Sequence, residues 1–464
     1  MSSGRDRDRV GPSRGGAAAP GRGRAAMTRR AGVAAAGPLA AGAGAALAAC
    51  GPSAPAAPGG PGPQAASVDY LYSLSGALGP LMEQSVGAFR VRYPHVTVQA
   101  TNHAGQQPAL QDKVLSMLAG GTAPDALHFT PKEMPAYTAV GALLPLEARI
   151  GRSRTLDVTD LFPAAVQYNQ QAGKTYALPF LLSTTILVYN RGLFQQRGVK
   201  TPDAYERDGA WTWDACLDVA KRLTGGEGDA RTYGLYTQLP IHSMDFAMSW
   251  IWSLGGEFWD REMQRMLLAQ AASVNAVQFF ADFGWKHRVD PLPGDPPVPG
   301  SFLSNRIGMQ FGARIGFAGF LDKADFPLGL APIPKGGGGR QIRGTTHSAA
   351  VLQASKSPDA AFELVSDLTL PETNRLWIGW PGGEPLRKSV AAGGAFEKGL
   401  QPWEDAGVYR EALRGLRGHQ LPLKSTEMDV LWKDAQKAIW VGERSAADAL
   451  RAIDGQLQSL LTAP

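Results

Sequence analysis

Phe246 and Trp250 stand four residues apart within Ser243–Leu254, with His242 and Asp245 one turn away. On a helix, an aromatic pair would then share a neighbourhood with a carboxylate and an imidazole. Rings beside hydrogen-bonding side chains suit reversible recognition, because the ring packs on an apolar surface while the polar groups fix orientation. The residues of bond-making chemistry are missing. No Gly-x-Ser-x-Gly, His-Glu-x-x-His, phosphate-binding loop or Cys-x-x-Cys occurs. The seven histidines include no pair at i,i+3 or i,i+4, so neither a metal site nor a cofactor is expected. Glu257 and Asp260 form an acidic pair, but nothing in their spacing makes them the opposed carboxylates of a glycosidase. The expectation is a protein that is not an enzyme.

The positioning body must be sizeable. With 464 residues, 44% hydrophobic and 19% charged, the chain can build two or three domains around real cores. Its formal charge of +5 is a property of the leader, since residues 1–49 hold eight Arg and two Asp. The remainder is close to neutral and carries no basic stripe, so nucleic-acid binding is not expected. Thr28-Arg29-Arg30 opens a mild apolar run, Ala31 to Ala49, too weak for a stable membrane span but suited to a cleaved export signal. The run ends in Leu47-Ala48-Ala49-Cys50-Gly51, which resembles a lipobox, and the Arg pair resembles a twin-arginine signal. Residues 1–49 thus read as the signal, Cys50 as the lipidated residue, and 50–66 as a Pro/Gly/Ala tether to the outer face of the membrane. Cys216 is then left without a partner and reads as a small buried hydrophobe.

From Ser67 the pattern becomes that of a folded body. Val68–Tyr72 reads as a strand, and Gly79-Pro80 opens a helix whose Met82, Val86, Phe89 and Tyr93 form one apolar stripe ending at Pro94. Val96, Val98 and Ala100 alternate as a second strand. Leu110, Val114 and Leu118 mark a second helix, and Asp125–Phe129 a third strand. This alternation predicts an α/β fold with a largely parallel sheet. Further on, the periodicity predicts a strand at Thr185–Tyr189 and helices over Trp213–Leu223, Ser243–Leu254 and Ala272–Phe283. A strand at Gly329–Pro334 leads to a flexible Gly336–Gly339 loop, and helical stripes return at Asp359–Leu368 and from Met428 onward.

Several separated segments resemble one family, the extracellular solute-binding proteins of family 1. They are Gly121-Thr122-Ala123-Pro124-Asp125, Gly173 to Pro179 with Leu187 to Asn190, Asn190 to Phe194 with Trp211-Thr212-Trp213-Asp214, Asn305 to Gly312, and Ala331 to Gly336. Each is weak alone; their shared order over residues 67–464 carries the resemblance. It implies a two-lobed periplasmic-binding-protein type II fold with a hinge and an interlobe ligand cleft. The lobes would be 67–181 plus 332–370, and 182–331 plus 371–464, with crossings near Pro179–Thr184 and Leu330–Pro334. It further implies a monomeric receptor that carries a sugar or oligosaccharide to the permease subunits of an ABC transporter.

Site residues follow from that implied cleft. Sugars present hydroxyl edges and flat C–H faces, which call for aromatic platforms and a fan of polar groups. Ser75, His103 and Gln106 sit in loops at the ends of first-lobe strands, and Thr346 precedes an apolar strand. In the second lobe His242, Asp245, Phe246 and Trp250 are joined by Phe311 and Arg314, where the family commonly presents an aromatic residue to the sugar. Trp380 and Arg387 flank a loop, Pro381 to Pro385, similar to one of the family's. Arg314 and Arg387 also keep open an anionic ligand, a sugar acid or phosphodiester, on the same fold. A secreted carbohydrate-active enzyme is the remaining alternative.

Overall fold

The computed structural model describes residues 65–105, 107–237, 243–292, 295, 302–319 and 321–463. Cys50 and the rest of the leader, Gln106 and His242 therefore lie outside the described residues. The fold belongs to the unit Pro61–Pro464.

The first half of the alternation appears where periodicity placed it. Strand β1 (Ala66–Tyr72) leads to helix α1 (Leu78–Arg92), β2 (Val96–Asn102), α2 (Gln107–Ala119) and β3 (Ala126–Phe129). Met82, Val86 and Phe89 of α1 are buried, and the helix stops before Pro94, which cannot continue it. The β1–β2 and β1–β3 pairs are parallel. After them come α3 (Pro163–Gln167), β4 (Ala177–Asn190), α4 (Trp213–Leu223), β5 (Tyr233–Tyr236), α5 (Met244–Ser253) and α6 (Ala271–Gly284). The chain continues through β6 (Ile307–Ala313), β7 (Leu328–Ala331), β8 (Ile342–Val351), α7 (Pro358–Asp367), β9 (Leu416–Arg417), α8 (Ser425–Trp440) and α9 (Ala446–Leu461).

Two expectations are corrected. The sheet is mixed, not largely parallel: β8 runs antiparallel to β3 and β4, and β6 and β7 run antiparallel to β4. The Gly336–Gly339 loop is a closed turn, bridged between its end residues, with Gly338 packed on the Trp252 carbonyl.

Strand β4 organises the rest. All fourteen of its residues are buried, so it is covered on both faces and shows no polar alternation. It pairs with β8 through Thr184, and from Thr185 onward with β6 and then β7. The apolar residues divide accordingly. One core gathers β1–β3 with α1 and α7, and the largest gathers residues from Ile186 to Leu461 around α4, α5, α6 and α8. Cys216 is buried in that second core with its thiol free.

Candidate functional site

A cleft of about 1060 Å³ opens between α3 with Gln170 on one side and α5, residues 257–267 and residues 414–420 on the other. That volume lies at the upper end of small-molecule sites, which run to roughly 1,000 Å³. Its wall is built from residues with local reasons to be there. Helix α5 ends at Leu254-Gly255-Gly256, where Gly255 takes φ of +84° and a side chain on Gly256 would meet the Ser273 backbone at 2.8 Å. The chain then turns outward to Trp259, held by an antiparallel bridge to Met266. Asp260 closes that turn by accepting the N–H groups of Gln264 and Arg265 at 2.7 and 3.1 Å.

The opposite part of the wall is fixed by charge. Arg417 of β9 donates to both Glu257 oxygens, at 2.7 and 3.1 Å, and its guanidinium lies 4.3 Å from the centre of the Trp252 ring. His419 meets the edges of Trp252 and Tyr168. Burial, and then Arg343, push its imidazole down to about 3, so it is neutral at physiological pH. Arg340 is tied to Glu206 and Glu411 at 2.6 and 2.7 Å.

A second, smaller concavity is lined by Lys132, Met244, Asp245, Trp259, Ser425 and Asp429, among others, and Trp259 belongs to both. Asp429 accepts the Met244 N–H at 2.8 Å and pairs with Lys132 at 3.5 Å. Burial alone would raise the Asp245 carboxyl, but Arg343 and the Ser243 hydroxyl outweigh it and hold it at about 2. The combined lining offers indole faces, amides, carboxylates and guanidinium groups, most of them locked by neighbours. Among the described residues no group of three or more His, Cys, Asp and Glu is arranged to hold a metal ion.

A sequence profile for the bacterial extracellular solute-binding proteins matches residues 73–375. The chain belongs to that family. A binding protein of Brucella abortus is 24% identical over 324 residues, 68% of this chain and 75% of its own length. Among solved structures, an ABC substrate-binding protein of Listeria monocytogenes in complex with cycloalternan aligns with a TM-score of 0.73 at 19% identity. It covers 85% of this chain and 98% of that one. UgpB of Mycobacterium tuberculosis in complex with glycerophosphocholine aligns at 0.71 and 20% identity, over 87% and 99% of the two chains. These likenesses give this family member the two-lobed α/β fold of maltose-binding-protein type.

Within it, the expected site residues scatter. Asp245 lines the smaller concavity, and Phe246 is half-buried on the same helix. Ser75 is exposed, and His103 is half-buried with a ring nitrogen 3.2 Å from Lys113 Nζ. Thr346 is buried in β8, its hydroxyl accepting from Asn169 and Ser348. Trp380 is half-buried beside Gly382. Five assignments are corrected, Thr346 being the first, since it is 0% exposed. Trp250 and Phe311 are 0% exposed and pack on each other, Trp213 being against both, so neither presents a face to a ligand. Arg387 is spent on Asp160 at 3.0 Å and the Thr369 carbonyl at 2.5 Å. Arg314 is spent on Glu404, at 3.0 and 3.1 Å, and on the Gly383 carbonyl.

The cleft residues that sequence reasoning missed are Trp252, Trp259, Arg417 and His419. Trp252 shares its helical segment with Trp250, and Glu257 with Asp260 stands out only as an acidic pair. The stretch 416–420 carries no motif at all.

Proposed function

We propose that this protein captures a sugar or oligosaccharide outside the cytoplasm by hinge closure and delivers it to an ABC permease. The observation that carries the reading is the large cleft, which has the partly exposed Trp259 in its wall together with Gln167, Gln170, Gln341 and Gln420. The Trp259 indole face matches the C–H face of a sugar ring, and amides match hydroxyl edges. The Arg417–Glu257 and Arg340–Glu206 pairs neutralise much of the charge around them, which favours a neutral ligand. The lobes are 67–181 plus 332–370 and 182–331 plus 371–464, hinged where β4 exchanges β8 for β6 at Thr184–Thr185. Ligand that touches both lobes binds the closed form better and shifts the population toward it.

The test is a thermal-shift screen of the protein against mono- and oligosaccharides, sugar acids and phosphodiesters. A ligand at ~100 times its Kd adds about 2.7 kcal/mol. With the best ligand in hand, Trp259→Ala is expected to weaken binding about 30-fold, roughly 2 kcal/mol, as loss of a buried aromatic anchor does. Unchanged affinity, or silence across the sugars, would overturn the carbohydrate reading.

One observation favours a second ligand class. Arg261 stands exposed at the cleft rim without a partner among the described residues, and the glycerophosphocholine receptor shares the fold. Shifts confined to phosphodiesters or sugar acids would select it.

We also propose export with lipid anchoring through Cys50. Among the described residues no helix is long and apolar enough to cross a membrane. Cys50→Ala is expected to move the protein from the membrane fraction to the medium, and retention at the membrane would sink the anchor.

A further inference from the structure

The turn that carries Trp259 into the cleft holds a conformation its sequence does not favour. Residues 258–267 fold as a hairpin. The Leu267 N–H donates to the Phe258 carbonyl at 2.8 Å, Trp259 bridges Met266, and the Asp260 N–H donates to the Arg265 carbonyl at 3.0 Å. At the tip the Met263 N–H turns back to the Asp260 carbonyl at 3.0 Å, and Met263 takes φ of +53°. A turn position of positive φ ordinarily takes Gly or Asn, because a Cβ there crowds the backbone. Four non-Gly residues among the described ones have positive φ, and of these Met263 alone lines the large cleft.

Neighbours hold the tip in this shape. Asp260 accepts two N–H groups across it, from Gln264 and Arg265. Gln458 of α9 accepts the Met266 N–H and donates to the Gln264 carbonyl, each at 2.8 Å. A strained residue persists where its surroundings over-determine it, and such residues gather at binding sites. Met263 is half-buried against the larger core and shares the cleft wall with Trp259 of the same hairpin.

We propose that Met263 is a specificity-determining residue of the cleft, its thioether side chain touching the C–H face of a neutral sugar beside the contact made by Trp259. The assignment rests on the carbohydrate reading given above. Methionine is unbranched and polarizable, so it moulds to an irregular apolar surface, whereas the Gly that the turn would prefer offers no surface at all. Local preference is given up where a binding contact needs it.

The test uses four neutral trisaccharides, maltotriose, cellotriose, xylotriose and raffinose, titrated into the protein by tryptophan fluorescence, with the tightest binder carried to calorimetry on each variant. Met263→Ala removes the contact and keeps the strain, whereas Met263→Gly removes both. Both should weaken binding about tenfold, and Met263→Leu, which restores apolar reach, should recover most of it. Urea midpoints should place Met263→Gly above Met263→Ala, the reverse of the order at a residue of ordinary φ. Affinity kept in both variants while Trp259→Ala still weakens binding would overturn this assignment and leave the cleft standing. A Met263→Ala midpoint at or above that of Met263→Gly would overturn it too, since the turn would then hold no strain. Silence from all four sugars would remove the carbohydrate reading and the role of Met263 together.

Discussion

Replacing Arg314 by alanine is expected to cost about 3–5 kcal/mol of folding stability, the range for breaking one partner out of a buried ion pair. Arg314 is 2% exposed and sits where three chain segments meet. It donates to both oxygens of Glu404 and to the Gly383 carbonyl, and its guanidinium lies 5.0 and 4.8 Å from the rings of Phe396 and Tyr409. Alanine removes all of these and leaves the Glu404 carboxylate buried without its cation. A urea titration should show the midpoint fall with the slope unchanged. Arg314→Lys should recover only part of the loss, because an ammonium cannot fork onto a carboxylate. A double substitution with Glu404→Gln should recover more. If Arg314→Ala instead kept wild-type stability and lost ligand binding, the side chain would return to the recognition role its position in the family implies.

The contrast between Arg314 and the cleft shows where sequence reading succeeds. The run from β1 to β3 was legible because each element carries its own period and its own stop. Met82, Val86 and Phe89 line one helix face, Pro94 ends it, and Val96 and Val98 alternate after it. Helix α4 was legible to its ends, since the Thr212 hydroxyl caps the Ala215 N–H. Strand direction in the second half was not legible, because it depends on long connections that leave no mark on the strand residues. The site failed for a related reason. Helix α5 is buried almost all round, Trp250 and Trp252 alike, so no polar stripe distinguishes the indole in the core from the one that lies under Arg417 at the cleft. Arg314 and Arg387 read as free cations because their partners, Glu404 and Asp160, lie 90 and 227 residues away.

Stability is expected to fall as pH rises through neutrality, and Glu384 gives the cleanest measure of it. This fully buried carboxyl accepts the Thr184 N–H and hydroxyl at 2.8 Å each, at the residue where β4 changes partners. Burial pushes it up to about 7, and the Thr184 bonds and the charge of Arg314 only partly oppose that rise. Its folded pKa lies above its unfolded one, so the folded state holds the proton longer. The contribution is complete below about pH 4 and is lost as pH rises through about 7. Asp290, also pushed up to about 7 by burial, acts with the same sign. His347, pushed down to about 4, acts at the other end, withdrawing stability as pH falls below about 6.5. Glu384→Gln isolates the first effect, because the amide cannot ionise. Between pH 5 and pH 8 the variant should gain about 2 to 3 kcal/mol relative to wild type, read from denaturant midpoints across the pH series. Parallel curves for the two proteins would mean that Glu384 stays ionised throughout, held by Arg314 more strongly than burial opposes it. A rising difference would mean that a proton sits on a carboxyl bonded to the strand that joins the two halves of the sheet, so that whatever bends β4 there also shifts an ionisation.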